Sequence, residues 1–368
     1  MTEKPVFILE KLKEAGFEAY FVGGCVRDTL LGRPVHDWDI TTSAMPERTM
    51  QVFPKCVATG LKHGTVTVVQ DGEMYEVTTF RSDGTYLDGR HPENVTFVRD
   101  LREDLSRRDF TVNAMAMDEK GNITDLFGGR EDLKNKLLRC VGEPEKRFRE
   151  DALRMLRALR FSAQLGFEIE KNTYEAIYRC ADLCAGLSCE RVREEMEKTL
   201  LSGCPEKVGE MAKLGLLKPV KITETEEFRN IGTLPAERTV RWAAFFKGCR
   251  QAEWEALRLD RKTGVIAKNS AAVSGSAKGR QAWKELISRW GEDVGLCAAA
   301  LDGETELADE ILASGECLFL KDLAVSGGDF PHLHGKEVGA LLEHLLQHVL
   351  RHPEDNVRQV LLELARKM

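Results

Sequence analysis

The chain has 368 residues, enough for two or three domains with a full core. A hydrophobic share of 42% and a charged share of 31% suit a soluble globular protein, and the lack of any run of about 18 apolar residues excludes a membrane-spanning helix. The net charge of −7 does not by itself point to nucleic acid, so such a partner has to be read from local basic faces. The first stretch, MTEKPVFILEKLKEAG, lacks an apolar signal core and reads as an amphipathic helix, which leads us to expect a cytoplasmic protein.

Next comes EAYFVGG (18–24), a short apolar strand ending in Gly23-Gly24, followed by CVRDTLLG, a helix stopped by Gly32. Paired glycines let a ligand approach the backbone, and the helix start offers free N–H groups to an anion. Gly24 and its neighbours thus form a candidate phosphate cradle, with Arg27 as counter-charge. In GRPVHDWDITT (32–42), Val35, Trp38, Ile40 and Thr41 favour a strand. Alternation along it puts Asp37 and Asp39 on one face, where two like charges repel unless a divalent metal joins them. A solvated strand end is the plainer alternative.

SAMPERTMQVF predicts a helix with Ser43 as N-cap and Pro46 in its first turn. GTVTVVQDGEMYEVTTF (64–80) predicts a hairpin turning at Asp71-Gly72. On its second strand Glu76 and Thr78 face one way, Tyr75 and Val77 the other. If that strand adjoins the aspartates, Glu76 supplies a third carboxylate; otherwise it is an exposed strand residue. Three carboxylates holding two Mg²⁺ ions are the parts needed for in-line nucleotidyl transfer, and no Cys or His cluster competes for that role.

After about residue 143 strand signals nearly vanish. EKRFREDALRMLRALRFSAQLG (145–166) has helical periodicity, with Leu153, Leu156, Leu159 and Phe161 near one stripe and Gly166 at the end. Residues 146–160 carry six basic against two acidic side chains, a local net of +4. NTYEAIYRCADLCAGL and SCERVREEMEKTLLSG continue as helices, and the last third reads helical apart from the polar break NSAAVSGSAKGRQ (269–281). Ten cysteines are spread thinly without zinc spacing; Cys180, Cys184 and Cys189 read as reduced packing residues. His36-Asp37 alone would suggest a metal phosphohydrolase, but the further His and Asp ligands that chemistry needs cannot be assembled.

Taken together, GGCVRD…HDWDI, RRDFTVNAMA (107–116), DLFGGREDL (125–133) and REDALRMLRALRF (149–161) resemble the class II tRNA nucleotidyltransferases, the CCA-adding enzymes related to bacterial poly(A) polymerases. Order and spacing match from about residue 18 to 200, and more loosely beyond. The resemblance implies an α+β fold: a polymerase-β-like head with a mixed sheet and helices (1–140), then an all-α neck (141–203), body (204–285) and tail (286–368). It implies template-independent addition of C, C and A to the tRNA 3′ end from CTP and ATP with Mg²⁺. Asp37, Asp39 and Glu76 would be catalytic, the two aspartates as metal ligands.

Within that resemblance EDALR has a physical reading. If it lies on one helix, Asp151 and Arg154 sit one turn apart on one face and offer an acceptor beside a donor fork. Cytosine and adenine both present an amino donor beside a ring-nitrogen acceptor; uracil and guanine reverse that order. A good bidentate pair discriminates by roughly 1–3 kcal/mol. The plainer alternative is a surface salt bridge. Arg157 and Arg160 continue the stripe, Arg157 orienting Arg154 or touching the base. Asp109 is expected to accept from the ribose hydroxyl, and Arg108 to contact phosphate or base. SCERVREEMEK is expected to stabilise the neck through Glu190, Arg191 and Arg193. RSDGTYLDGRHP (81–92) resembles the loop of members that add the terminal A, although many relatives have Arg where His91 stands. The alternatives are an A-adding-only enzyme, a poly(A) polymerase, for which LLELARKM would be a short ending, and an inactive tRNA-binding protein.

Overall fold

The computed structural model describes residues 5–83, 95–222, 230–249 and 254–367. Two compact units partition the chain, Met1–Thr223 and Glu224–Met368.

The first unit begins with α1 (Val6–Glu14), β1 (Ala19–Val22), α2 (Gly24–Leu30), β2 (Ile40–Thr42), α3 (Pro46–Val52), β3 (Cys56–Gly60), β4 (Thr65–Gln70) and β5 (Glu73–Thr79). There follow β6 (Arg81–Asp83) and β7 (Val95–Phe97), which pair with each other, then α4 (Leu101–Ser106), β8 (Met115–Met117), β9 (Ile123–Asp125) and α5 (Gly129–Lys134). The unit ends with β10 (Leu137–Leu138), α6 (Pro144–Glu150), α7 (Leu153–Leu165), β11 (Glu168–Ile169), α8 (Lys171–Cys180), α9 (Cys189–Leu200) and α10 (Lys207–Lys213). This is the expected mixed sheet followed by helices.

Seven strands form one sheet in the order β3-β4-β5-β2-β1-β8-β9. Its neighbours are antiparallel except β2 and β5, which run parallel with Ile40 opposite Val77. Phe21, Ile40, Val66, Val68 and Val77 are buried in it, and α1 covers it with Ile8, Leu9 and Leu12. The hairpin of β4 and β5 turns where expected. Asp71 and Gly72 have φ of 53° and 85°, the pair of positive values a two-residue turn between twisted strands requires.

Three expectations are corrected. Residues 33–39 are not a strand; the ladder begins only at Ile40. Pro34 has no N–H to offer a ladder, and Trp38 is drawn under β1, its ring 4.8 Å from that of Phe21. Ser43 does not cap α3: Met45 holds that position with Pro46 behind it, while Ser43 Oγ accepts from Glu18 N at 2.9 Å. Residues 145–165 are not one helix. Asp151 is extended, with φ −146° and ψ 107°, and separates α6 from α7. The strand signal also persists a little past residue 143, since β11 pairs in parallel with β10. Most of the 81–92 loop, including His91, lies outside the described residues.

The second unit is helical among its described residues: α11 (Arg238–Lys247), α12 (Arg261–Val273), α13 (Gly279–Trp290), α14 (Glu292–Asp302), α15 (Thr305–Ala313), α16 (Lys336–Arg351) and α17 (Arg358–Ala365). Trp242, Phe245 and Trp283 are fully buried in its core. No helix among the described residues is long and apolar enough to cross a membrane.

Candidate active site

The sheet centre gathers the sequence-predicted carboxylates. With Trp38 buried, its neighbours Asp37 and Asp39 both face outward, so the alternation survives without a ladder. Val22 N donates to Asp39 O at 3.0 Å, fixing this stretch beside the end of β1. The parallel register of β2 and β5 then places Glu76 next to Asp39. His36, Asp37, Trp38, Asp39, Thr67 and Glu76 line one cavity of about 540 Å³, together with Glu73, Met74 and Tyr75.

Electrostatics mark the same spot. Asp39 is exposed at the cleft, yet the surrounding protein pushes its carboxyl above the usual range. Arg108 opposes that rise, while Glu76 and Asp37 add to it. Burial is the largest cause of the rise, and the two neighbouring carboxylates add to it against Arg108, so a further cation would favour the ionised form. Among the described residues no three His, Cys, Asp or Glu side chains converge tightly enough to cage a metal. An all-oxygen set open on one side is nonetheless what Mg²⁺ favours, because that ion usually takes one or two carboxylates and keeps waters and ligand phosphates. The residues present fit such an ion.

Above the aspartates β1 ends at Gly23, whose φ of 80° and ψ of −135° suit glycine. A Cβ there would lie 2.9 Å from Arg108 Nη1 and 3.6 Å from Asp39 Oδ2, so the backbone passes closely between an arginine and a carboxylate. Gly24 opens α2. Arg27 has its guanidinium on Asp28 at 2.9 and 2.8 Å and on Asn113 Oδ1 at 2.7 Å.

Asn113 links this turn to the neck. Its Nδ2 donates to Asp109 Oδ1 at 3.1 Å, and Asp109 Oδ2 accepts from Arg157 Nε at 2.8 Å and Nη2 at 2.6 Å. Burial pushes the Asp109 carboxyl up, but Arg157 and Asn113 more than offset this and hold it down to about 2. Arg154 is buried and donates to Glu150 Oε2 at 2.9 Å, Arg147 O at 3.4 Å and Arg107 O at 2.9 Å. Asp151 is bound separately: Oδ1 accepts from Leu153 N at 3.0 Å, starting α7, and Oδ2 from Arg191 at 2.8 Å. Asp151 and Arg154 therefore flank a helix start and do not share one helix. Arg160 is buried against Glu195 and Gln164, with its guanidinium 3.8 Å from the centre of the Phe161 ring.

Sequence reasoning passed over Asp104, Glu150 and Asn113. The first two carried a signal: a carboxylate three or four residues from an arginine at helical spacing, as Asp104 stands to Arg107 and Arg108 and Glu150 to Arg147 and Arg154. Asn113 carried none.

Comparison with known proteins places the chain in a family. Residues 19–139 match the family model described as the poly A polymerase head domain. Residues 166–224 match a probable RNA and SrmB-binding site of polymerase A. A CCA-adding enzyme of Geobacillus stearothermophilus is 60% identical over 193 residues, 52% of this chain and 48% of its own length. One from Ligilactobacillus salivarius is 57% identical over 203 residues, 55% and 50%. The chain thus spans about half the length of the curated relatives it matches. The Bacillus stearothermophilus CCA-adding enzyme, crystallised in complex with CTP, superposes with a TM-score of 0.85 at 38% identity, covering 99% of this chain and 98% of that one. On that full-length likeness, the chain belongs to the CCA-adding enzyme family.

Proposed function

We propose that this protein adds C, C and A to the 3′ end of tRNA from CTP and ATP, without a nucleic-acid template and with release of pyrophosphate. The observation that carries the reading is the open cleft of Asp37, Asp39 and Glu76, whose negative charge lies against the Gly23-Gly24 turn and Arg108. Nucleotidyltransferases of this family use divalent metal ions; we take Mg²⁺ as the ion, held by Asp37 and Asp39. Bound there, it would acidify the attacking 3′-hydroxyl and spread the charge of the departing pyrophosphate.

The chain's own groups do the rest by placement. Glu76 closes the carboxylate wall. The close-approach turn at Gly24, with Arg108 beside it, receives the triphosphate, and Arg27 braces the turn from behind. Asp109, kept ionised by Arg157, already accepts from Phe110 N, Asn113 and twice from Arg157, so it accepts from the ribose hydroxyl by exchanging one of those bonds. The bonds given above use three of the five N–H groups of Arg154, and the Asp151 carboxylate accepts twice. Both therefore retain capacity for a base edge: Asp151 for the amino group of cytosine or adenine, Arg154 for the ring nitrogen. Arg160, committed to Glu195, supports the helix beneath them. We retain the division into head (1–140), neck (141–203), body (204–285) and tail (286–368), the last as tRNA holder, and a cytoplasmic site of action.

Incorporation measured for each single nucleotide on tRNA ending at the discriminator base, at C and at CC tests the reading. CTP is expected on the first two and ATP on the third. Failure of CTP on every acceptor would leave an A-adding-only enzyme or a poly(A) polymerase. Failure of both nucleotides would leave a tRNA-binding protein without catalysis.

A further inference from the structure

Asp104, on α4, is fully buried, 0% exposed. Its Oδ1 accepts from Arg107 Nε at 3.0 Å, Arg107 Nη2 at 2.9 Å and the main-chain N of Arg81 at 3.4 Å. Its Oδ2 accepts from Thr41 Oγ1 at 3.3 Å and Arg108 Nη2 at 3.5 Å. One carboxylate thus reaches β2 two residues beyond Asp39, the start of β6, and both arginines that precede Asp109. Burial pushes its carboxyl up, but Arg107 and Arg108 more than offset that and hold it below the usual range.

Replacing a whole buried ion-pair cluster by apolar side chains of similar volume is often neutral for stability, so packing alone does not call for charges here. What the carboxylate does is aim. Arg107 is gripped by two short contacts. Among the described residues Arg108 is held by one long contact and its buried Nε has no partner, while its Nη1 stands against the Gly23 turn beside Asp39. The guanidinium is thereby tethered at one corner, with donors left over at the turn where an anion would lie. Main-chain O of Arg107 meanwhile accepts from Arg154, so the anchored pair spans the phosphate and base ends of the site.

We propose that Asp104 is a positioning residue for nucleotide binding, which sets the Arg108 guanidinium against the triphosphate. The proposal rests on the nucleotide-binding reading of the cleft, but it is tested by binding rather than by transfer, so the two fail separately. In the full-length chain, CTP and CMP affinities are measured by calorimetry for wild type, Asp104→Asn, Arg108→Gln and the double variant, with a melting curve for each. Asp104→Asn is expected to weaken CTP about tenfold and CMP less than twofold. In the Arg108→Gln background the same change is expected to do nothing further, because the two residues act as one unit. Equal loss for CTP and CMP, additive losses in the double variant, or unchanged CTP affinity would each overturn the proposal. Should Asp104→Asn fail to fold, Asp104→Glu keeps the charge and moves it by one methylene. It is expected to weaken CTP selectively by a smaller factor, and wild-type CTP affinity in that variant would overturn the proposal. Wild type that binds CTP yet never transfers it would defeat the proposed activity and leave this inference standing.

Discussion

The cleft at the sheet centre and the neck around α7 handle charge in opposite ways. In the cleft three carboxylates line a cavity of about 540 Å³ with Arg108 acting on Asp39, which is pushed toward its neutral form. In the neck the charges facing α7 are paired: Arg157 with Asp109, Arg154 with Glu150, Asp151 with Arg191, Arg160 with Glu195. The first arrangement is unfinished without a cation from outside. The second is complete before any ligand arrives, and pre-paired groups lose little freedom when a base docks. An imbalance suits a site that must capture and release charged species; a balanced lattice suits one that must compare shapes and donors.

The contrast can be broken by mutation, beginning with the largest effect. Asp37→Ala is expected to slow nucleotide transfer by on the order of 10³-fold, about 4 kcal/mol of barrier, while gel-shift affinity for tRNA stays within about twofold. Wild-type extension by that variant would remove the cleft from the chemistry. Glu195→Ala strands the buried Arg160 and is expected to cost about 3–5 kcal/mol in urea unfolding. The pair change Arg160→Met with Glu195→Leu should recover most of that and leave the KM for CTP unchanged. A rise in KM would mean that Arg160 touches the nucleotide after all.

Asp109→Asn sharpens the comparison through pH. A carboxyl held down to about 2 contributes stability that is full above its unfolded value near 4 and is lost as pH falls through 2. Wild type should therefore exceed the variant by about 2 kcal/mol from pH 5 upward, with the gap closing between about 4 and 2 in acid titration followed by circular dichroism. Asp39→Asn is the smallest effect and has the opposite sign. A carboxyl raised in the folded state contributes stability at low pH that is lost as pH rises through its folded value. Metal-free Asp39→Asn should melt slightly above wild type at neutral pH, the difference vanishing in acid. A melting point lowered by this change would mean that the cleft is already balanced.

Much of this was legible in the residues. The turn at Asp71-Gly72, the strand ending in Gly23-Gly24 and the close of α7 at Gly166 all follow from local rules about backbone angle and alternation, whereas the pairing of the Glu76 strand beside the aspartates was left open by the sequence. What escaped depended on partners distant in sequence. Ser43 obeys the cap rule on paper, but Glu18 N takes its oxygen. The helical stripe of Leu153, Leu156, Leu159 and Phe161 is real, yet periodicity carries no record that Arg191 and Leu153 N would hold Asp151 extended. In the site, the residues proposed to contact ligands were readable from motif chemistry, whereas Asn113, which holds Arg27, acts across 86 positions of sequence; Asp104 stood at helical spacing from Arg107 and Arg108, a signal that was there to read.

The parallel pairing of β2 with β5 makes the cleft fragile in a particular sense. Asp39 and Glu76 meet only through register, and a strand presents its side chains with period two. Loss of a single residue between the Asp71-Gly72 turn and Glu76 would swing the glutamate into the core and offer Tyr75 or Val77 to the aspartates, leaving the motifs intact to any reader of the gene. Insertions just before β4 or after β9 would spare it.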